Sequence, residues 1–212
     1  MIYEVRTYDL LPQSVAEFEK RFGEAYEKRK SYSPLAAFWH TEIGPLNQII
    51  HVWPYKDTAE RNRIRAAAVK DGVWPPKTAE FIVAQRSDIM LPFPISPEIK
   101  PGSVGPYFEI RTYTYAPGEL PKLMKAWEAA IEARVALSPV TAIWYSDLGS
   151  LNKFVHIWPY KTLQQRDDIR QKGIAAGIWP PSAVAKKQGL PVYRLLSQEN
   201  KIVMPSAFSP LQ

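Results

Sequence analysis

No cysteine occurs among the 212 residues, which excludes disulfides, thiolate nucleophiles and sulfur-ligated metals. A metal would need His, Asp or Glu, and there are three histidines in all. No run of 18 or more apolar residues exists, so no segment reads as a membrane-spanning helix. The glycines form no phosphate loop, nucleophile elbow or dinucleotide fingerprint, and no triad order is present. The chain opens on a strand-like alternation at Met1–Val5 without the basic and apolar regions of a signal peptide, so a cytoplasmic location is expected. The net charge is +6, but the basic residues alternate with acids, as in Glu17, Glu19, Lys20, Arg21, Glu24 and Lys28. That is a solvated helix face rather than a one-sided basic stripe, and nucleic acid is not an expected partner.

What the chain does contain is a copy of itself. Glu4-Val5-Arg6-Thr7-Tyr8 returns as Glu109-Ile110-Arg111-Thr112-Tyr113, and Asn47–Lys56 returns as Asn152–Lys161. Over 3–76 and 108–181, about 28 of the 74 aligned positions are identical without a gap, a period of about 105 residues that fits a duplicated small domain. The expected units are residues 1–91 and 107–212. Between them lies a linker at 92–106 with five prolines and two glycines.

Each unit reads strand, helix, strand, strand, helix, strand. Tyr3–Leu10 alternates, and an amphipathic helix follows from about Ser14 to Lys30. Ser33-Pro34 and Ser138-Pro139 break the first helix of each copy. Strands are expected at Leu35–Ile43 and Asn47–Trp53, and Asp57 or Thr58 caps a short second helix to about Lys70. A last strand falls near Ala84–Leu91. In the second copy the candidates are Val192–Leu196 and Lys201–Met204, shifted by an insertion of about eight residues relative to the first copy. This βαββαβ order is α+β and ferredoxin-like, with an antiparallel sheet and both helices on one side. The bare sheet face calls for a partner, and the second copy supplies one. The prediction is a pseudo-twofold barrel within one chain, with homodimerisation through further bare surface also open.

Comparing the copies divides the strand residues. Val5/Ile110, Phe38/Ile143, Ile50/Val155 and Val52/Ile157 keep only apolarity, as expected of a helix-covered core. Glu4/Glu109, Arg6/Arg111, Tyr8/Tyr113, Trp39/Trp144, Asn47/Asn152, His51/His156 and Trp53/Trp158 keep identity. Polar and aromatic together, these fourteen residues form the expected ligand-binding set on the inner sheet face.

The Glu-x-Arg-Thr-Tyr opening resembles the NIPSNAP family of the dimeric α/β-barrel superfamily. So do the Gly-x-Leu-Asn-x-x-x-His-x-Trp-x-Tyr-Lys block and the Arg-x-x-x-Arg that follows it. The resemblance covers nearly the whole chain, twice, and implies a ferredoxin-like barrel. It implies little chemistry: the family has no agreed catalytic set, and relatives in the superfamily include cofactor-independent oxygenases, dismutases and isomerases. No cofactor is implied, and no residue is assigned to a metal.

Two uses of the shared face stay open: a small-molecule pocket, for an anionic or aromatic ligand, or a non-catalytic interface between the units. His51 and His156 could act as general bases beside Arg6 or Arg111, or be structural histidines bonded to Glu4 or Tyr8. Arg61/Arg65 and Arg166/Arg170, one helical turn apart, need an anion nearby: either a carboxylate at the sheet edge, with Glu80 or Asp57 as candidates, or an anionic ligand or partner. The Trp-Pro-Pro segments at 74–76 and 179–181 are expected to pack as rigid loops.

Overall fold

The computed structural model describes residues Met1–Gln212. In the first unit β1 (Ile2–Leu10), α1 (Val15–Arg29), β2 (Ala37–Ile43), β3 (Gln48–Tyr55), α2 (Thr58–Lys70) and β4 (Ile82–Pro92) follow in order. The second unit repeats them as β5 (Tyr107–Tyr115), α3 (Leu120–Val135), β6 (Ala142–Leu148), β7 (Lys153–Tyr160), α4 (Leu163–Ala175) and β8 (Leu195–Pro205). It also carries one extra helix, α5 (Pro181–Lys187). The insertion therefore forms a helix, which the sequence pattern does not predict; of the two strand candidates after it, Lys201–Met204 lies within β8, while Val192–Leu196 contributes only Leu195 and Leu196.

Local chemistry explains the elements. Phe18, Phe22, Tyr26 and Arg29 stand on one face of α1 and are buried, a helical stripe that docks on the sheet. At α2, Asp57 accepts from Glu60 N while the Glu60 carboxylate accepts from Lys56 N. Thr162 and Gln165 do the same for α4. These reciprocal caps fix where each second helix starts, and so where its arginines point.

All eight strands join one closed antiparallel barrel in the order β1-β3-β2-β8-β5-β7-β6-β4. Each unit contributes four adjacent strands. The seams are β2 against β8 and β4 against β6, so neither unit has a free sheet edge. The segment leaving each unit also crosses to the other. Phe93 N donates to Ile143 O and Ser206 N to Phe38 O, while Ile143 N and Phe38 N donate to Ser96 Oγ and Ser209 Oγ.

Closure gives every strand an inside and an outside. Tyr3, Trp39, Ile50, Val52, Met90, Phe108, Ile110, Trp144, Ile157 and Val203 pack together within the barrel. Outside, two separate clusters lie under the helices, one around Phe18, Phe22, Phe38 and Trp53 and one around Leu123, Trp127, Phe154 and Trp158.

Candidate functional site

Most residues kept by identity sit on the outer, helix-covered face, opposite to the expectation. In β1, Val5 and Thr7 line the interior, so the alternation turns Glu4, Arg6 and Tyr8 toward the helices. There the Glu4 carboxylate is fully buried and meets three arginines: Arg6 Nη1 at 2.9 Å, Arg61 Nη2 at 2.6 Å and Arg65 Nη1 at 3.6 Å. Ser87 Oγ donates to it at 2.9 Å. Burial alone would push this carboxyl up, but the hydrogen bond from Arg61 and the charges of Arg65 and Arg6 outweigh it and hold it at about 2. Arg6 Nε donates to the Tyr8 hydroxyl at 2.7 Å. The second unit repeats the arrangement, with Arg111 and Arg166 on Glu109 and Arg111 on Tyr113.

The arginine pair is thus answered by Glu4, not by Glu80 or Asp57. Glu80 is engaged by Arg21 at 2.7 Å, and Asp57 caps α2.

His51 and His156 are equally enclosed. Trp53 Nε1 donates to His51 Nδ1 at 2.7 Å, and Trp158 Nε1 to His156 Nδ1 at 2.6 Å. The acceptor role at Nδ1 places the proton on Nε2, which has no hydrogen-bond partner. Tyr8 stands edge-on to the His51 ring at 4.8 Å and Phe38 stacks on it at 5.6 Å. Burial drives both imidazoles well below the usual histidine range. A neutral ring with its basic nitrogen bonded to a tryptophan cannot take a substrate's proton, so the general-base role is withdrawn. The structural role stands, with tryptophan as the partner instead of Glu4 or Tyr8.

Asn47 and Asn152 have a third reason for their identity. Both adopt left-handed backbone, φ 55° and 57°, a conformation asparagine tolerates well. Their carbonyls accept from Leu10 N and Tyr115 N. They are turn residues.

Arg29 and Arg134 escaped the sequence reading as functional or structural anchors. Both are buried with no carboxylate partner. Arg134 reaches Ser138 Oγ at 2.9 Å and the Tyr160 hydroxyl at 3.2 Å, and its guanidinium lies 4.0 Å from the Trp158 ring centroid. Arg29 sits 4.7 Å from Trp53 and 5.8 Å from Trp74. These cation–π contacts explain why the Trp-Pro-Pro loops keep their tryptophan. Identity of an arginine in both apolar helix stripes was the signal available.

The barrel interior holds the one pair from the expected set that stays inside: Trp39 and Trp144. They border a cavity of about 130 Å³. Tyr3 stacks on Trp144 at 4.7 Å and Phe108 packs on Trp39 at 5.3 Å, closing one end. Val5, Ile50, Val52, Ile110, Val155 and Ile157 form the walls, and Arg86, Asp88, Lys153, Glu199 and Lys201 stand toward the other end beside Thr7 and Thr112. The Trp39 and Trp144 indole N–H groups are buried and have no acceptor. Gly44 (φ +127°) and Gly149 (φ +104°) carry the hairpin turns over Lys201 and Asp88, where a side chain would collide with Asp88 or crowd Lys201.

A NIPSNAP family model matches residues 3–97 and again 108–210. The chain belongs to the NIPSNAP family. It is 29% identical over 219 residues to human NipSnap homolog 3A, covering all of this chain and 86% of that protein. It is 31% identical over 218 residues to human NipSnap homolog 3B, covering 99% and 85%. A solved NIPSNAP family protein of unknown function from Agrobacterium tumefaciens shares 32% identity, spans 51% of this chain and 96% of its own, and superposes with a TM-score of 0.44. A putative monooxygenase from Lactobacillus acidophilus superposes over 96% of this chain and 92% of its own, with TM-score 0.62 at 10% identity. That likeness shows a shared fold and no shared chemistry.

Proposed function

We propose that this NIPSNAP protein binds one small molecule inside its barrel, between Trp39 and Trp144. One observation carries the reading: a cavity whose bordering tryptophans hold two buried, acceptor-less N–H groups. An orphaned buried donor costs about 1–3 kcal/mol, and a ligand that offers an acceptor there, the π face of an aromatic ring included, would relieve it. The space is close to the ~150 Å³ apolar cavity known to take benzene, so a ring-sized body fits. The walls are apolar and the polar groups gather at one end, the composition of a ligand site rather than of a plain core.

The interior is also where the two units meet, since Tyr3–Trp144 and Trp39–Phe108 cross between them. Cohesion of the units and ligand binding therefore share one surface. Filling the space separates the two roles. Val155→Phe, a half-buried wall position, should keep the fold and lose ligand-induced thermal stabilisation by ring-sized compounds. Equal stabilisation of wild type and variant would contradict binding in the interior.

A further inference from the structure

The polar end of the cavity breaks the symmetry that the rest of the barrel obeys. Through pairing with β1 and β5, Arg86 beside Thr7 corresponds to Glu199 beside Thr112, and Asp88 beside Val5 to Lys201 beside Ile110. Gln48 corresponds to Lys153. At each of these positions the charge is inverted or added, whereas the walls and the two tryptophans keep their character. A bound molecule thus meets two unlike sides and has one preferred orientation.

The charges are only partly matched among themselves. Asp88 is held by Ser150 N at 3.0 Å and faces Lys153 Nζ at 4.0 Å. Lys201 Nζ donates to the neutral amide oxygen of Gln48, whose own Nε2 donates to Asp9 at 2.6 Å. Neither Arg86 nor Lys201 forms an ion pair, although Arg86 and Lys153 both press on the Lys201 ammonium electrostatically and Glu199 and Asp9 oppose them. Burial is the largest influence on that ammonium and lowers its affinity for a proton. Lys153 is answered by Asp88, while Arg86, exposed at the open end of the cavity, and the half-buried Lys201 have no carboxylate partner and can take one anionic group between them. Asp9, Asp88 and Glu199 stand close by, so a single carboxylate suits the place better than a phosphate dianion.

We infer that the ligand is a small monocarboxylate, its carboxylate held by Arg86 and Lys201 and its ring-sized apolar body inserted toward Trp39 and Trp144. The inference rests on the barrel interior being a binding site. Titration calorimetry with benzoate, benzamide and benzylamine as probes tests it, on the wild type and on Arg86→Gln and Lys201→Met. Benzoate should bind at least tenfold more tightly than benzamide, and each variant should weaken benzoate about tenfold while leaving benzamide unchanged. Benzamide binding as well as benzoate, or benzylamine binding best, overturns the carboxylate assignment and leaves the cavity reading standing. No binding of any probe to the wild type overturns both. If a variant fails to show the wild-type thermal transition, Arg86→Lys, which keeps the charge, must retain benzoate binding within about threefold; its loss counts against the assignment.

Discussion

At the scale of single residues the protein separates holding itself together from presenting a site. Glu4 is the clearest case of the first. Its carboxylate is the common anion of Arg6, Arg61 and Arg65. Glu4→Gln keeps the shape and leaves three half-buried arginines uncompensated, which costs about 2 kcal/mol, less than the ~3–5 kcal/mol of a fully buried pair because water reaches the guanidinium groups. Urea unfolding should show that loss, and benzoate affinity should be unchanged, because Glu4 faces away from the cavity. The histidines give a pH signature. His51 and His156 have folded values depressed below the unfolded value of about 6.5, so the stability they confer is complete above that value. It is lost as pH falls, by about 1.4 kcal/mol per unit for each ring. His40 has the opposite sign: its hydrogen bond to Glu19 at 2.7 Å raises it. Its contribution is present below about 6.5 and lost as pH rises through its folded value. Unfolding free energies at pH 5, 6 and 7 should therefore fall toward acid, and His51→Gln should roughly halve that slope.

At the scale of elements, the crossing tails are the joints. The C-terminal segment places Phe208 against Phe22 at 5.9 Å and Phe38 at 4.7 Å on the first unit's helix layer. Ser206 and His40 both meet Glu19 there. Phe208→Ala should cost about 2 kcal/mol, below the ~3–5 kcal/mol of fully buried aromatics because the ring is half-buried. Hydrogen exchange should quicken in α1 and β2 ahead of α3 and β6, and uniform quickening would contradict the assignment of the tail to the first unit. The element order and barrel were legible in the sequence because period-2 and period-3.6 patterns recur in both copies and the turn residues agree. The inside and outside of the strands were not. Identity between copies does not mark the cavity, because an ion-paired layer constrains identity more tightly than an apolar interior constrains volume. Glu4, Arg6, His51 and Trp53 are fixed by each other and by Arg61 and Arg65. Helix α5 was hidden in an insertion with no counterpart to compare. Arg86, Asp88, Lys153, Glu199 and Lys201 were invisible to the comparison for the reason that makes them interesting, since the copies differ there.

At the scale of the whole molecule, duplication has produced one barrel instead of two domains. The units share both sheet seams and an interior cluster containing Tyr3 and Trp39 from one and Phe108 and Trp144 from the other. Neither can unfold without exposing the other's apolar face, so heating should give a single calorimetric transition with equal calorimetric and van't Hoff enthalpies. Two resolved transitions would show that the units are independent. A tandem chain also lets the two halves diverge at the cavity, which a symmetric pair of identical chains could not do. Inverted charges on β4 and β8 are that divergence.

The central claim, an occupied space between Trp39 and Trp144, is most directly tested on the indole N–H resonances of the seven tryptophans. In a titration with benzoate followed by ¹H–¹⁵N correlation spectra, the Trp39 and Trp144 signals should move in proportion to occupancy. Those of Trp53 and Trp158, bonded to histidine under the helices, should stay in place. Static Trp39 and Trp144 signals at saturating benzoate, or movement confined to Trp53 and Trp158, would contradict the account.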